Sequence, residues 1–218
     1  MRRVIAIDGP SGSGKTTIAK LIARELGYSY LDTGALYRAI AFSLRERHIE
    51  PSDSDERIRD VLSQTVVLFK NGRVCLNDQD VTDYIRSREI DHYSSVFSVR
   101  KIVRDFLLDF QRKAVLHDDL VVEGRDTTTV VFPEAGKKIF LDASVEERAR
   151  RRYLQYKGRG IDMSMEEAVQ SITERDKRDA SRDIAPLMRA PDALLIDSSN
   201  LTIDMVKNKI LDFVRNDC

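Results

Sequence analysis

The sequence predicts an α/β fold in which a central parallel sheet is flanked by helices. Two observations support this prediction. Short apolar runs alternate along the 218-residue chain with longer segments of helical periodicity, and a glycine-rich loop joins the first apolar run to the first helical segment. A chain of this length can bury one substantial core. We therefore expect a single domain over residues 1–218, with insertions, rather than two independent domains.

The predicted strands are short and almost wholly apolar, as is typical of central strands that are buried on both faces of a parallel sheet. They are residues 4–7, 28–31, 120–122, 139–141 and 193–196.

The predicted helices are recognised by their periodicity and their ends. Apolar residues recur at helical spacing from Lys15 until Gly27 supplies a stop, and an apolar face predicts another helix over residues 100–117. Two Ser-x-x-Glu capping boxes predict further helix starts on either side of a Gly-Arg-Gly loop at residues 158–160. They are Ser144 with Glu147 and Ser164 with Glu167.

Residues 66–76 break the α/β alternation. Two strand-like runs, 66–70 and 73–76, flank Asn71 and Gly72, a pair that suits the positive φ angles of a type I′ hairpin turn. We therefore expect an antiparallel insert and interpret residues from about 60 to 95 as an excursion from the core.

Composition narrows the class of protein. Lys+Arg and Asp+Glu both total 36, so no overall positive field would attract nucleic acid or an anionic membrane. The two cysteines, Cys75 and Cys218, have neither disulfide-framework nor zinc-site spacing, and no apolar run approaches the roughly 20 residues that span a bilayer. We expect a cytoplasmic monomer that acts on small molecules, with no nucleic-acid or membrane partner.

The chemistry begins in the loop at residues 9–16, Gly-Pro-Ser-Gly-Ser-Gly-Lys-Thr, which matches the phosphate-binding pattern G-x-x-x-x-G-K-[ST]. Its backbone N–H groups can surround a phosphate, Lys15 can reach the β- and γ-oxygens, and the Thr16 hydroxyl can bind Mg²⁺. A glycine-rich turn without chemical role is the alternative, but the flanking strand and helix favour nucleotide binding. The predicted ligands of ATP and Mg²⁺ here are Gly9, Ser11, Gly12, Ser13, Gly14, Lys15, Thr16 and Thr17.

Two arginine-rich segments, 148–152 and 175–182, flank the Gly-Arg-Gly loop. Guanidinium groups on two helices with a flexible connection suit a lid that aligns phosphates and excludes water. Solvated helix faces with i,i+4 ion pairs are the alternative. We predict a lid at about residues 148–178, with Arg148 and Arg152 on the donor phosphates.

Five segments together resemble the bacterial cytidylate kinases, and the similarity runs nearly end to end. They are residues 9–17, Asp-Thr-Gly-Ala-Leu-Tyr-Arg at 32–38, Gly-Arg-Asp at 124–126, Thr-Val-Val-Phe-Pro at 129–133 and Glu-Arg-Asp at 174–176. The resemblance implies a P-loop kinase fold with a short helical lid and an insert that binds the nucleoside monophosphate (NMP), to which the hairpin would belong. It also implies transfer of the γ-phosphoryl group of ATP to CMP, and to dCMP.

The resemblance further implies an acceptor site, with Lys15, Arg125 and Arg182 as catalytic residues. It places the following residues at the nucleotide, its base, its sugar or its phosphate: Thr33, Arg38, Ser95, Arg104, Arg125, Asp126, Arg175, Asp179 and Arg182.

The chemistry of cytosine supports part of this assignment. Its N4 amine can donate to Asp126 while Arg104 donates to N3 or O2. Uracil reverses the polarity at positions 3 and 4, where it has an N–H donor and a carbonyl acceptor. Alternatives remain for each residue: an Asp126 ion pair with Arg125 or a helix cap, a surface charge at Arg104, and a plain i,i+3 pair between Asp179 and Arg182.

Two further positions bear on the site. Glu123, at the end of an apolar strand, could order a Mg²⁺-bound water. Thr127-Thr128 replaces the apolar residue and glycine that usually follow Gly-Arg-Asp in the family. Because threonine cannot adopt every backbone conformation open to glycine, two alternatives follow: Asp126 is oriented differently, or the turn does not need a positive φ.

The predicted reaction is a direct in-line transfer without a covalent intermediate. A P-loop kinase for another acceptor is one alternative function. A regulatory nucleotide-binding switch or RNA-associated NTPase is another, which the balanced charge disfavours.

Overall fold

A computed structural model describes residues 3–70, 72–115 and 118–216. In these residues the chain forms a five-stranded parallel sheet, a three-stranded antiparallel sheet and eight α-helices. The strands are β1 (Val4–Asp8), β2 (Ser29–Asp32), β3 (Val67–Lys70), β4 (Arg73–Leu76), β5 (Gln79–Asp80), β6 (Leu120–Gly124), β7 (Lys137–Asp142) and β8 (Leu194–Asp197). The helices are α1 (Lys15–Leu26), α2 (Thr33–Glu46), α3 (Asp55–Ser63), α4 (Arg88–Phe97), α5 (Lys101–Lys113), α6 (Val145–Lys157), α7 (Met165–Ala180) and α8 (Ile203–Arg215).

The parallel sheet has the strand order β2-β6-β1-β7-β8, which confirms all five predicted core strands. The chain leaves β1 towards β2 at one edge of the sheet, whereas it leaves β6 towards β7 in the opposite direction. These two connections diverge at the carboxyl ends of the neighbouring strands β1 and β6. Ligands of open α/β sheets bind outside the carboxyl ends of the strands at such a point. The loops that follow β1 and β6 therefore lie where a binding site is expected.

Alternation along the strands divides the core into two layers. Ala6 and Val122 point to the face that α2 and α5 cover, while Ile5 and Ile7 point to the face that α1 and α8 cover. All four side chains are buried. Burying one such Ile or Val stabilises the fold by about 1.5–3 kcal/mol, so the two layers hold the sheet rigidly beneath its loops.

The helix ends agree with the capping predictions, with two adjustments. Gly27 closes α1 with a φ of 70°. Ser144 and Ser164 each accept a hydrogen bond from the backbone N–H of the third residue of their helices. The reciprocal hydrogen bond that completes a capping box is present at Ser164 and not at Ser144. Helix α5 ends at Lys113, earlier than predicted, because the chain turns there towards β6. His117, at the predicted end, lies outside the described residues.

The antiparallel insert is present between α2 and α5. Strands β3 and β4 pair from Val67 with Leu76 to Lys70 with Arg73, and β5 adds a short third strand that the sequence did not indicate. Gly72 has a φ of 76°, but Asn71 lies outside the described residues, so the type I′ turn stays a prediction. Helices α3 and α4 flank this small sheet along the chain.

Helices α6 and α7 form an antiparallel pair over the carboxyl edge of the main sheet. A small apolar cluster of Ala149, Tyr156, Met163 and Ala168 holds the pair together. In the described stretches of the chain, no helix has both the length and the apolar character that crossing a bilayer requires.

Candidate active site

A cleft of about 760 Å³ lies at the carboxyl ends of β1 and β6, between the insert and the helix pair α6–α7. Most of the predicted residues line it: Ser11, Gly12, Ser13, Gly14, Lys15, Thr16, Thr17, Thr33, Arg38, Arg125, Asp126, Arg152, Arg175, Asp179 and Arg182. Four predicted residues lie outside this lining: Gly9, Ser95, Arg104 and Arg148. Residues from distant parts of the sequence therefore meet in one cavity.

The glycine-rich loop is held tightly against its neighbours. A Cβ on Gly9 would lie 2.0 Å from the carbonyl oxygen of Leu141, and one on Gly12 would lie 2.9 Å from that of Arg148. Gly12 also has a φ of 79°, which favours glycine. The loop thus requires glycine at both positions, and Gly9 acts by shaping the loop from behind the cleft wall.

Lys15 is buried at the start of α1, and its ammonium group folds back over the loop. The Nζ donates to the Pro10 carbonyl at 2.7 Å and to Ser13 Oγ at 3.3 Å. Burial, helped by the positive charge of Arg125, lowers the pKa of Lys15 to about 7, although Glu123 opposes the shift. An anionic ligand would restore the charge on this group.

Glu123 is the last residue but one of β6 and lies beside the first turn of α1. Its carboxylate accepts hydrogen bonds from the Thr16 hydroxyl at 2.5 Å and from the Tyr30 hydroxyl at 3.2 Å. Burial and the nearby Asp32 raise the pKa of Glu123. Among the described residues, no group of three or more His, Cys, Asp or Glu side chains could hold a metal. The Thr16 and Glu123 oxygens nonetheless fit Mg²⁺, which commonly takes one or two protein ligands together with substrate phosphates.

Three arginines of α6 contact the glycine-rich loop. Arg148 and Arg152 donate to the carbonyl and the hydroxyl of Ser11, each at 3.2 Å, and Arg151 donates to the carbonyl of Ser13 at 3.1 Å. Arg148 also pairs with Asp176 of α7 and is nearly inaccessible to solvent. The structure therefore gives Arg148 a role in fixing the loop, whereas Arg152 reaches the cleft itself.

Asp126 and Arg104 form an ion pair at the insert end of the cleft. Arg104 is 7% exposed and also donates to the Ser98 carbonyl at 3.2 Å, so its interpretation as a surface charge is wrong. Asp126 pairs with Arg104 and caps no helix through its side chain, so both structural alternatives for it are wrong too. Burial raises the pKa of Asp126 despite the neighbouring Arg104.

Asp179 of α7 joins the arginines on the acceptor side. It accepts from Arg125 Nε at 2.9 Å, while Arg175 and Arg182 lie 3.9 Å from its oxygens. Burial opposes its ionisation, but these guanidinium groups outweigh that effect and lower the pKa of Asp179. The i,i+3 pair with Arg182 is present, but the closest partner is Arg125.

Arg38 and Thr33 lie at the N-terminal end of α2. Asp32 caps this helix by accepting from the Ala35 N–H at 2.8 Å, and it also pairs with Arg38 at 3.3 Å. Thr33 does not cap the helix, because its hydroxyl donates to the Glu123 carbonyl at 2.8 Å. The helix N-terminus and Arg38 therefore face the cleft together.

The cleft contains buried donors without acceptors. Among the residues that the structure describes, four guanidinium nitrogens have no hydrogen-bond partner: Arg38 Nε, Arg152 Nε, Arg175 Nε and Arg182 Nη2. Buried polar groups in folded proteins are nearly always hydrogen-bonded. Several arginines that line the cleft therefore keep a donor for which the described residues supply no acceptor.

A family model described as cytidylate kinase matches residues 5–216. The chain belongs to the cytidylate kinase family. It is 48% identical over its full length to cytidylate kinase of Thermodesulfovibrio yellowstonii, which is also covered completely. It is 45% identical to cytidylate kinase of Geobacter sulfurreducens, over 97% of this chain and 92% of that protein.

The fold also has a solved counterpart. A protein of Eubacterium ventriosum, described as uncharacterized, superposes with a TM-score of 0.56 over 98% of both chains at 14% identity. This similarity concerns the fold alone.

The departure of this chain from the cytidylate kinase pattern, Thr127-Thr128, has a local explanation. Both backbone N–H groups and both hydroxyls donate to the buried Asp8 carboxylate, at 2.7–3.0 Å. Neither threonine adopts a positive φ, so the turn does not need glycine. The threonines tie the segment that carries Asp126 to the end of β1.

Several residues that line the cleft were not among the predicted site residues. Arg86, Asp91, Arg151, Arg159 and Ser198 line the cleft, yet the sequence analysis did not single them out. Arg151 stands in the arginine-rich segment and could have been found there, whereas Asp91 lies in no recognisable motif. Ser95 lines a second cavity of about 490 Å³ between α4 and α7, where Arg178 donates to its hydroxyl at 3.1 Å.

Proposed function

We propose that this chain transfers the γ-phosphoryl group of ATP to CMP, giving ADP and CDP. One observation carries the proposal: a single cleft is lined by a phosphate-binding loop at one end and by Asp126, which pairs with Arg104 behind it, at the other, and arginines that keep buried donors without acceptors lie between them. Membership of the cytidylate kinase family supports the same reaction.

On the donor side, the loop backbone and the N-terminus of α1 would surround the β-phosphate. Lys15 would turn from the Pro10 carbonyl to the β- and γ-oxygens, and Arg152 would add a guanidinium from the lid. These groups stabilise the charge that spreads over the transferring phosphoryl group. No side chain needs to form a covalent bond with it.

On the acceptor side, Arg38, Arg125 and Arg182 would direct the CMP phosphate oxygen towards the γ-phosphorus. Each lines the cleft, and Arg38 and Arg182 retain buried donors without acceptors. Such positioning supplies most of the catalysis in phosphoryl transfer. Thr33, Arg175 and Asp179 would contact the sugar and phosphate.

The base would be read by Asp126, held in place by Arg104. A cytosine N4 amine satisfies the carboxylate, whereas uracil would place O4 against it and leave both acceptors without a donor. Rejection of this kind can reach about 10⁴-fold.

Mg²⁺ would be held by Thr16 and, directly or through water, by Glu123. When bound, it would neutralise charge on the β- and γ-phosphate oxygens. The distance of 2.5 Å between the Thr16 hydroxyl oxygen and a Glu123 carboxylate oxygen supports this assignment, because both oxygens can approach one ion.

The proposal also includes dCMP as an acceptor. Three arginines surround Asp179, so its carboxylate keeps partners when the ribose 2′-hydroxyl is missing. A deoxyribose would therefore lose one hydrogen bond without leaving a buried carboxylate unpaired. We further propose that the chain works as a monomer, that residues of about 60–95 form the NMP-binding insert, and that residues of about 148–178 form the lid.

An acceptor panel tests the proposal. The chain is incubated with ATP, Mg²⁺ and one of CMP, dCMP, UMP or AMP, and ADP formation is followed together with the nucleoside diphosphate. We expect rapid transfer to CMP and dCMP and slow transfer to UMP and AMP. Transfer chiefly to another acceptor, or ATP hydrolysis that no acceptor stimulates, would overturn it.

A further inference from the structure

Asp91 of the insert helix α4 lies between the two lid helices. Its Oδ1 accepts from Arg175 Nη1 of α7 at 2.6 Å, and its Oδ2 accepts from Arg152 Nη2 of α6. All three side chains are largely buried, with exposed fractions of 17%, 12% and 8% for Asp91, Arg175 and Arg152. One carboxylate therefore joins three separate elements.

The Asp91 contacts continue in both directions across the cleft. Arg152 donates from its other terminal nitrogen to Ser11 Oγ of the glycine-rich loop at 3.2 Å. On the opposite side, Arg175 lies 3.9 Å from Asp179, which accepts from Arg125 at 2.9 Å. The network runs from the donor loop to the acceptor side, and Asp91 stands at its centre.

The charges around Asp91 explain why the network needs it. Burial disfavours its ionised form, but the guanidinium groups of Arg175, Arg152 and Arg38 outweigh burial and keep the pKa of the carboxyl well below its usual range. Arg152 and Arg175 are like charges that share this carboxylate, and without it they would repel each other in a poorly solvated site.

Asp91 uses only terminal nitrogens of the two arginines. The Nε atoms of Arg152 and Arg175 stay buried without a hydrogen-bond acceptor. Each guanidinium is planar and rigid, so fixing one terminal nitrogen restricts the direction of the remaining donors. The carboxylate thus restrains both groups while leaving donors for phosphate oxygens.

We propose that Asp91 is a positioning residue for phosphoryl transfer, which orients Arg152 and Arg175 and so links the donor loop to the acceptor side through the insert and the lid. This inference rests on the proposed transfer to CMP. In this proposal Asp91 acts through the two arginines and not by touching either substrate.

The test compares Asp91→Asn with the unchanged chain in the CMP reaction. The variant keeps the size of the side chain but removes its charge. We expect kcat to fall roughly 10- to 100-fold, because reacting groups lose their alignment. The KM values for CMP and ATP should stay within about threefold, since the attraction of the arginines for phosphate remains.

Glu89→Gln is the matched control. Glu89 lies two residues earlier on α4, its side chain is 60% exposed, and it pairs with Arg45 away from the cleft. Its kcat and KM should not change. Asp91→Glu should recover part of the lost kcat, since it restores the charge.

A second measurement distinguishes a role of Asp91 in orienting the arginines from a role in stabilising the folded chain. In a chain that carries Arg152→Ala and Arg175→Ala, adding Asp91→Asn should change kcat by less than about twofold, because residues that act through one another are not additive. A full loss in that background would overturn the proposal. So would an unchanged kcat for Asp91→Asn with only a lower unfolding midpoint. If the unchanged chain leaves CMP unphosphorylated, the proposed function fails and this inference with it.

Discussion

The carboxylate of Asp126 pairs with the guanidinium of Arg104, joining the loop after β6 to the first turn of α5. Both side chains are almost fully buried. Removing one partner of a buried ion pair commonly costs about 3–5 kcal/mol. The pair therefore holds the loop and α5 together and fixes Asp126 in the cleft wall.

Substitution of Asp126 should change base preference more than general activity. For Asp126→Asn we expect the ratio of kcat/KM for CMP to that for UMP to fall about 100-fold or more, because the amide can donate to uracil O4 where the carboxylate cannot. Steady-state kinetics with both nucleotides measure this ratio. Asp105→Asn, on the exposed side of α5 beside Lys101, is the control. Equal losses on CMP and UMP would show that Asp126 does not read the base.

Lys15→Ala should abolish transfer without unfolding the chain. Within the part of the chain that the structure describes, the ammonium group donates hydrogen bonds to the Pro10 carbonyl and the Ser13 hydroxyl. Burial penalises the charge of this group, so loss of the side chain should remove little stability. We expect kcat to fall by about 10³-fold or more, with an unfolding midpoint no lower than that of the unchanged chain. Lys20→Ala, an exposed change on the same helix, should leave kcat unaltered. Near-normal turnover of Lys15→Ala would refute the role of the lysine.

Binding of a non-hydrolysable ATP analogue should take up a proton in a pH-dependent way. With a pKa of about 7 in the unliganded protein, Lys15 is largely neutral at pH 8.5, and the phosphates should raise its pKa. Uptake should therefore approach one proton at pH 8.5 and disappear from this group at pH 6, where the lysine is already charged. Calorimetry in buffers of different ionisation enthalpy measures it.

The control for proton uptake is Lys15→Arg. An arginine remains charged throughout this pH range, so its uptake should be near zero at pH 8.5. Equal uptake by the arginine variant and the unchanged chain would assign the proton to another group.

Gly12→Ala should weaken the donor site. The new Cβ would lie 2.9 Å from the Arg148 carbonyl oxygen at a φ of 79°, a conformation that costs a non-glycine residue roughly 1–2 kcal/mol. The loop would shift away from α6, so KM for ATP should rise at least about 10-fold. Gly136→Ala is the matched control, because Gly136 has no atom within 4 Å of an added Cβ. An unchanged KM for Gly12→Ala would contradict the described packing of loop and lid.

The sequence predicted the core strands and the helix starts because these depend on local patterns. Apolar runs such as residues 120–122 are strands wherever helices cover both faces of a sheet. Ser164 begins a helix through a hydrogen bond to a residue three positions away. Strand β5 of the antiparallel sheet was not predicted, because a strand of two residues is too short to show an alternation of apolar and polar side chains.

Within the site, the residues that one short motif names do lie together in the cleft. The loop of residues 9–16 combines its glycines, Lys15 and Thr16 in one short stretch, so its geometry follows from the order of its residues. Arg104 could be read either as a surface charge or as a base-binding group, because position on an amphipathic helix does not reveal its partner. Only the packing of α5 against the loop after β6 buried it beside Asp126.

The amino-acid sequence by itself determined the α/β architecture, the phosphate-binding loop and the resemblance to a kinase family, since each rests on residues close together in the chain. The tertiary structure alone decided which charges meet. Asp91 and Arg152 are 61 residues apart, and Ser11 and Arg152 are 141 apart. Contacts over such separations arise from how the insert and the helix pair α6–α7 pack over the sheet, and no local spacing encodes them.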